Sequence, residues 1–137
     1  MRRRYYVDRK YRDQPYSNYY FFHKLLDGLI KDDTLCLGDK NFELREWKEI
    51  MRYLNSHPEI EGLRAVNCDI NDEVAKIIAS THNLKKITLA VNQISAKGAR
   101  YLSELNLDLL DLSYNPIDNE AIANFEFSQI KELDLLG

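Results

Sequence analysis

The sequence has little of what disulfide-stabilised domains, nucleotide-binding enzymes and membrane proteins require. Its two cysteines, Cys36 and Cys68, form no CxxC pair, which is typical of free thiols in a reducing compartment. Its five glycines are scattered and form no glycine-rich loop that could hold a phosphate. No apolar run approaches the roughly 20 residues of a membrane-spanning helix. We therefore expect a cytoplasmic protein without a membrane span.

Catalytic and metal-binding patterns are missing as well. The three histidines, His23, His57 and His82, belong to no HExxH motif. The acidic stretch over residues 69–73 lacks the ligand spacing and the glycine of a calcium loop, and Asn71 or Asp72 is better explained there as a helix start. The sequence thus predicts no catalytic residue, no metal site and no cofactor.

Charge divides the chain into two parts. Residues 1–13 carry six basic and two acidic residues, a net charge of +4, and six of the nine tyrosines lie within the first 20 residues. The remainder carries 13 basic and 20 acidic residues, a net charge of −7. Residues 1–15, which lack a clear apolar period, are predicted to be a leader that is either partly disordered or wrapped on the first helix. Residues 16–137 are predicted to form a single domain.

The strongest pattern in the chain is an internal repeat. Segments beginning at Leu63, Ile87 and Leu110 share the arrangement apolar-x-apolar-x-x-Asn/Cys-x-Ile, with another apolar residue three positions earlier. A fourth copy begins at Leu133 and a degenerate one at Leu35, so successive copies are 28, 24, 23 and 23 residues apart. The alternation turns two apolar side chains of each copy to one side of a short strand. The predicted strands, paired in parallel, are Leu63–Ala65, Ile87–Leu89, Leu110–Leu112 and Leu133–Leu135.

Apolar residues recur at helical spacing between these strands, for example at Val74, Ile77 and Ile78. One copy cannot bury its apolar side alone, so we expect neighbouring copies to stack into an α/β solenoid. We predict a cap helix from Ser17 to about Lys31, because the open end of such a stack must be covered. The helix predicted next, around Glu46–Asn55, turns four apolar residues inward: Trp47, Ile50, Met51 and Leu54.

The pattern LxxLxLxxN/CxL resembles that of leucine-rich repeat proteins, and the resemblance covers roughly residues 33–137. The longer steps resemble the ribonuclease-inhibitor type, and the Gly98-Ala99 pair resembles the GALA-type repeats of some bacterial effectors. The resemblance implies a parallel one-strand-per-repeat sheet on the concave side and helices on the convex side. It also implies a role in binding another macromolecule, either as an adaptor or as an effector in the cytosol of a host cell.

Cys68, Asn92 and Asn115 occupy the same position in successive copies. An asparagine between apolar anchors is costly to bury unless its amide forms hydrogen bonds. In this position the amide can bond the backbone of the loop that leaves the strand. We therefore predict that the three residues form a structural rung of the repeat.

The outward positions of the strands predict where a partner binds. They change from basic on the early copies to acidic on the late ones, with apolar residues and a tyrosine alongside, as in many protein interfaces. The alternative is a solvated sheet face whose charge order is accidental. The predicted partner-binding residues of this protein-interaction scaffold are Arg64, Val66, Lys86, Thr88, Val91, Leu109, Asp111, Tyr114, Glu132 and Asp134.

Two further interactions are suggested by the ends of the chain. The basic, tyrosine-rich leader favours nucleic acid or an acidic membrane surface, although its two aspartates and the acidic body weaken that signal. At the other end, Leu133 and Leu135 lie on a strand with no covering segment after it. An uncovered edge of this kind predicts one of two things: the chain forms homo-oligomers through its C-terminal edge, or it is a piece of a longer repeat array.

Overall fold

A computed structural model describes the backbone of residues 3–4 and the whole of residues 19–123 and 125–137. Within these residues the chain is an α/β protein with five helices and a mixed six-stranded sheet. The elements in chain order are β1 (Arg3–Arg4), α1 (Tyr20–Asp27), β2 (Ile30–Lys31), β3 (Thr34–Cys36), β4 (Lys40–Asn41), α2 (Leu44–Asn55), β5 (Gly62–Arg64), α3 (Asp72–Ile78), β6 (Lys86–Thr88), α4 (Ala96–Ser103), β7 (Leu107–Asp111), α5 (Asn119–Ile122) and β8 (Ile130–Asp134).

The six-stranded sheet has the order β2-β3-β5-β6-β7-β8. From β3 to β8 every neighbouring pair is parallel, whereas β2 is antiparallel to β3. The predicted parallel pairing is therefore confirmed, and each predicted strand begins earlier than expected. A separate parallel pair joins β1 to β4. The residues that lie opposite one another across the sheet are Leu35, Leu63, Ile87, Leu110 and Leu133.

These five residues form one row of the core, because each points from its strand toward the helices. The first four are buried, and Leu133 on the last strand is half-buried. Burying a leucine or isoleucine side chain contributes roughly 1.5–3 kcal/mol, so the row is a large part of what holds the strands in register. None of the helices in the described residues has the length and apolar character needed to cross a bilayer.

Helix α2 begins where the sequence provides a capping box. The backbone N–H of Glu43 donates to Oε1 of Glu46 at 2.7 Å, and the Glu43 side chain accepts a backbone N–H of the first turn in return. The apolar stripe of the helix then faces the core as predicted. Its buried members are Trp47, Ile50, Met51 and Leu54.

The predicted extent of the first helix is wrong at its C-terminal end. Helix α1 stops at Asp27, and Ile30 and Lys31 form strand β2 of a hairpin with β3. The tight turn places Asp32 at φ 57°, a left-handed conformation that aspartate tolerates better than most residues. The apolar spacing through Ile30 fits a helix and a strand equally well over so few residues. Ser17, the predicted start, lies outside the described residues.

Helices α3 and α4 pack closely because of two residues. A Cβ atom on Gly98 would lie 2.5 Å from Oδ1 of Asp72 and 3.2 Å from Cβ of Ala75, so only glycine fits here. Oδ1 of Asp72 accepts hydrogen bonds from the backbone N–H groups of Ser95 at 2.7 Å and Gly98 at 3.1 Å. A side chain of α3 thus caps the start of α4, while Asn71 caps α3 itself.

Candidate protein-binding face

The strand register brings seven of the ten predicted partner-binding residues into two columns on the side of the sheet away from the helices, and Val66, Val91 and Tyr114 lie beyond the strand ends. We call this surface the sheet face. Its first column is Thr34, Gly62, Lys86, Leu109 and Glu132, and its second is Cys36, Arg64, Thr88, Asp111 and Asp134.

The two ends of the sheet face differ in the sign of their charge and in whether the charged side chains form hydrogen bonds. Arg64 and Lys86 are exposed, and neither forms an ion pair in the part of the chain that the structure describes. Oδ1 of Asp111 accepts from the backbone N–H of Ser113 at 2.9 Å and from its hydroxyl at 2.6 Å. Oδ1 of Asp134 accepts the backbone N–H of Leu136 at 2.9 Å. Asp111 and Asp134 are therefore held by local hydrogen bonds, whereas Arg64 and Lys86 are available to a partner.

An apolar ridge borders the sheet face where the strands end. The parallel hydrogen-bond ladder continues past the strands, since Val91 N–H donates to Ser113 O at 3.0 Å and Tyr114 N–H donates to Leu136 O at 2.8 Å. Val91, Tyr114 and Leu136, which we call the ridge, are 44%, 61% and 67% exposed. Exposed apolar residues scattered singly are ordinary, but three neighbours along one edge form a patch.

Two ridge residues have a backbone conformation that their side chains disfavour. Val91 and Tyr114 have φ values of 59° and 57°, in the left-handed region. This conformation costs an ordinary L-residue about 1–2 kcal/mol, and it is a clear outlier for a β-branched or bulky side chain. The equivalent positions of neighbouring copies hold Asp39, Asn67 and Gly137, which adopt it more easily.

The left-handed conformation of Val91 and Tyr114 has a signal in the sequence that the spacing argument missed. Asp39, Asn67 and Gly137 share one repeat position, and these residue types together indicate a left-handed turn. The geometry of each copy therefore requires the turn, and the unusual feature of Val91 and Tyr114 is their residue type at this position.

Val66 contributes less to the surface than the other predicted residues. It is half-buried, and its equivalents in the next two copies, Ala90 and Ser113, are buried. Leu109 and Thr88 are also half-buried. Asp111 and Asp134 are half-buried too, so the accessible part of the site consists of the ridge and three charged residues: Arg64, Lys86 and Glu132.

Asn92 lies in the interior and bonds the loop backbone. Its Oδ1 accepts from the N–H groups of Cys68 at 2.9 Å and Ile70 at 3.0 Å. Its Nδ2 donates to the carbonyls of Ala65, Leu89 and Ala90 at 2.9 to 3.1 Å. The amide thus joins its own copy of the repeat to the preceding one.

The other two residues of the rung are also buried. Asn115 accepts the N–H of Ile94 at 3.0 Å and donates to three carbonyls, one of them Leu89 O in the preceding copy. The thiol of Cys68 donates to Leu37 O at 2.8 Å. Burial raises the pKa of that thiol, which disfavours the reactive thiolate. These contacts give the rung a structural rather than a chemical part in the molecule.

The remaining cluster of ionisable groups joins α1 to α2. Nε2 of His23 lies 2.5 Å from Oε2 of Glu49, and the hydroxyl of Tyr53 donates to Asp27 at 2.6 Å. Burial, assisted by the bond to Asp27, raises the pKa of Tyr53 well above its ordinary value. Residues 19–123 and 125–137 contain no group of three or more His, Cys, Asp or Glu placed to hold a metal ion.

Comparison with protein families gives no match for this chain, and comparison with curated proteins gives none either. The basic leader, the alternative binding segment, lies outside the described residues except for the backbone of residues 3–4. The described surfaces on which a partner could bind are the sheet face, the ridge and the outer sides of the helices.

Proposed function

We propose that the chain is a leucine-rich repeat protein whose copies stack as a solenoid. Three features support this: five anchors lie in register, β3 and β5 to β8 run parallel, and rung side chains bond the backbone of the preceding copy. In such a stack the sheet face lines the concave side and the helices lie on the convex side. Helix α1 and the β2–β3 hairpin then act as the N-terminal cap.

The proposed function is to bind a protein partner through the sheet face and the ridge, without catalysis. The observation that carries it is the exposure of Val91 and Tyr114 in left-handed conformations. A bound partner would bury both side chains, which gives a reason for apolar residues at an exposed position whose conformation favours Asn, Asp or Gly. An aromatic residue beside charges is also the usual composition of an interface hot spot. Two free cysteines fit a cytoplasmic adaptor or an effector acting in a host cytosol.

The test begins with a partner recovered from cytosolic extract by the full chain. Binding should be lost in the double variant Arg64→Glu/Lys86→Glu, since both side chains belong to the exposed basic end. Tyr114→Ala should weaken affinity by about 2 kcal/mol, or roughly 30-fold, while the melting temperature stays nearly constant. Tyr101→Ala on helix α4 is the matched control and should bind normally. Equal losses of folding and binding in Tyr114→Ala would assign Tyr114 to the core and contradict the proposal.

Self-association through β8 is a second, separable part of the proposal. In the described part of the chain β8 pairs with β7 alone, and Leu133, Leu135 and Leu136 remain partly or largely exposed beside it. Exposed edge strands of this kind pair readily with a second copy about a two-fold axis. Sedimentation at micromolar concentration should detect a dimer that Leu136→Lys disrupts. A folded chain that stays strictly monomeric would contradict this part and leave the protein-binding role intact.

A further inference from the structure

A groove of about 560 Å³ runs between helices α2 and α3, on the opposite side of the sheet from the sheet face. Its apolar floor is formed by Leu44, Met51 and Ile77, and Leu44 and Ile77 remain partly exposed. Three cationic side chains stand along its rim: Lys48, Arg52 and Lys76.

The groove follows from the residues at which the two helices meet. Helices α3 and α4 approach closely because Gly98 lies against Ala75. Neither α2 nor α3 contains glycine, and the larger side chains of Met51 and Ile77 lie in the equivalent gap. Helix α2 has 12 residues and α3 has seven, so α3 alone cannot cover α2 along its whole length. Where the gap narrows, Nδ2 of Asn55 donates to the Ser80 carbonyl at 3.3 Å.

The charge of the groove is opposite to that of the body of the protein. Three cations and Glu73 line it, for a net charge of +2, whereas the chain after residue 13 carries −7. Nη1 of Arg52 forms an ion pair with Oε1 of Glu49 at 3.0 Å. Nζ of Lys76 lies 5.6 Å from the ring centre of Tyr101. Lys48 forms no ion pair with any described residue. With Arg52 paired, Lys48 and Lys76 against Glu73 still leave the groove a net charge of +1, which favours an anionic occupant.

We propose that the groove binds an acidic amphipathic helix of a protein partner. A groove beside a seven-residue helix is about 10 Å long, which matches two turns of an added helix. Apolar side chains at positions i, i+3, i+4 and i+7 of that helix contact Leu44 and Ile77, the partly exposed residues of the floor. Its flanking carboxylates reach Lys48 and Lys76. A small ligand is a poorer match, because small-molecule sites usually enclose most of the ligand surface.

This site does not depend on the protein-binding role of the sheet face. The probe is a synthetic helical peptide of about 18 residues, with leucines at the four positions of one apolar stripe and glutamates beside them. A second peptide replaces every glutamate with lysine. The full chain is titrated with each peptide and followed by fluorescence anisotropy and by amide chemical shifts.

The acidic peptide should bind, shift amides of α2 and α3, and lose affinity as salt is added. The double variant Lys48→Glu/Lys76→Glu should weaken binding by at least about tenfold. Lys85→Glu, an exposed lysine outside the groove, is the matched control and should bind like the wild-type chain. Circular dichroism establishes that each variant is folded.

Four results would overturn the proposal: no binding at millimolar peptide, equal binding of the lysine peptide, no effect of the double variant, or shifts confined to the sheet face. The last result would move the peptide to the other proposed surface. Sodium dodecanoate is the competing ligand. If it displaces the acidic peptide and binds more tightly at the same amides, that result also overturns the helix proposal and makes the groove a site for anionic amphiphiles.

Discussion

Replacing Asn92 with alanine tests whether the side-chain amide holds successive copies together. Asn92 is 3% exposed, and its Oδ1 accepts two buried N–H groups, those of Cys68 and Ile70. Alanine would leave both donors without a partner in a region that water does not reach. Each such group costs about 1–3 kcal/mol, so the variant should lose about 3 kcal/mol of unfolding free energy.

Asn115 provides a matched comparison in the next copy. Among the described residues, its Oδ1 accepts one N–H, that of Ile94, instead of two. Urea unfolding of both alanine variants should therefore rank Asn92→Ala as the more damaging, with an unchanged denaturant slope if both native states stay compact. A loss below about 1 kcal/mol in Asn92→Ala, or a larger loss in Asn115→Ala, would refute the hydrogen-bond argument.

Three further substitutions or measurements follow from the geometry. Val91→Asn should raise the unfolding free energy by about 1 kcal/mol, because asparagine tolerates the left-handed conformation better than valine. Thermal unfolding checks this, and a lower melting temperature than that of the wild-type chain would contradict the claim that Val91 is strained. Gly98→Ala normally stabilises a helix by about 1 kcal/mol, yet here the new Cβ would meet Asp72, so thermal unfolding should show a loss of about 1–3 kcal/mol. In the folded chain Ellman's reagent should modify half-buried Cys36 and spare Cys68, with both reacting in guanidinium.

The strands were predictable because only one strand register buries all of their regularly spaced apolar residues. Shifting Leu63 or Ile87 by one position would turn the whole inward row to solvent, so hydrophobic burial specifies the register. The same alternation placed Arg64, Lys86 and Asp111 on the opposite face, and the observed pairing agrees. The inward stripe of α2 was equally clear from helical spacing.

Other features depend on contacts that the sequence pattern does not contain. The hairpin of Ile30 and Lys31 depends on the turn at Asp32, and a short apolar run cannot distinguish it from a helix. The helix start predicted at Asn71 or Asp72 agrees with α3, which Asn71 caps, whereas the capping of the following helix by Asp72 depends on a tertiary contact. The groove beside Met51 and Ile77 is a gap between helices, which no residue spacing predicts.

The bonds that cross from one copy to the next also determine how the molecule opens. Asn92 completes the loop at Ile70, and Asp72 completes the start of α4, so each copy carries hydrogen bonds that its neighbour needs. A middle copy therefore cannot detach without exposing unpaired groups on both sides, whereas β8 is bound on one side in the described part of the chain. Amide exchange should consequently be fastest at β8 and slow progressively toward β5, in a sequence of opening steps instead of one event.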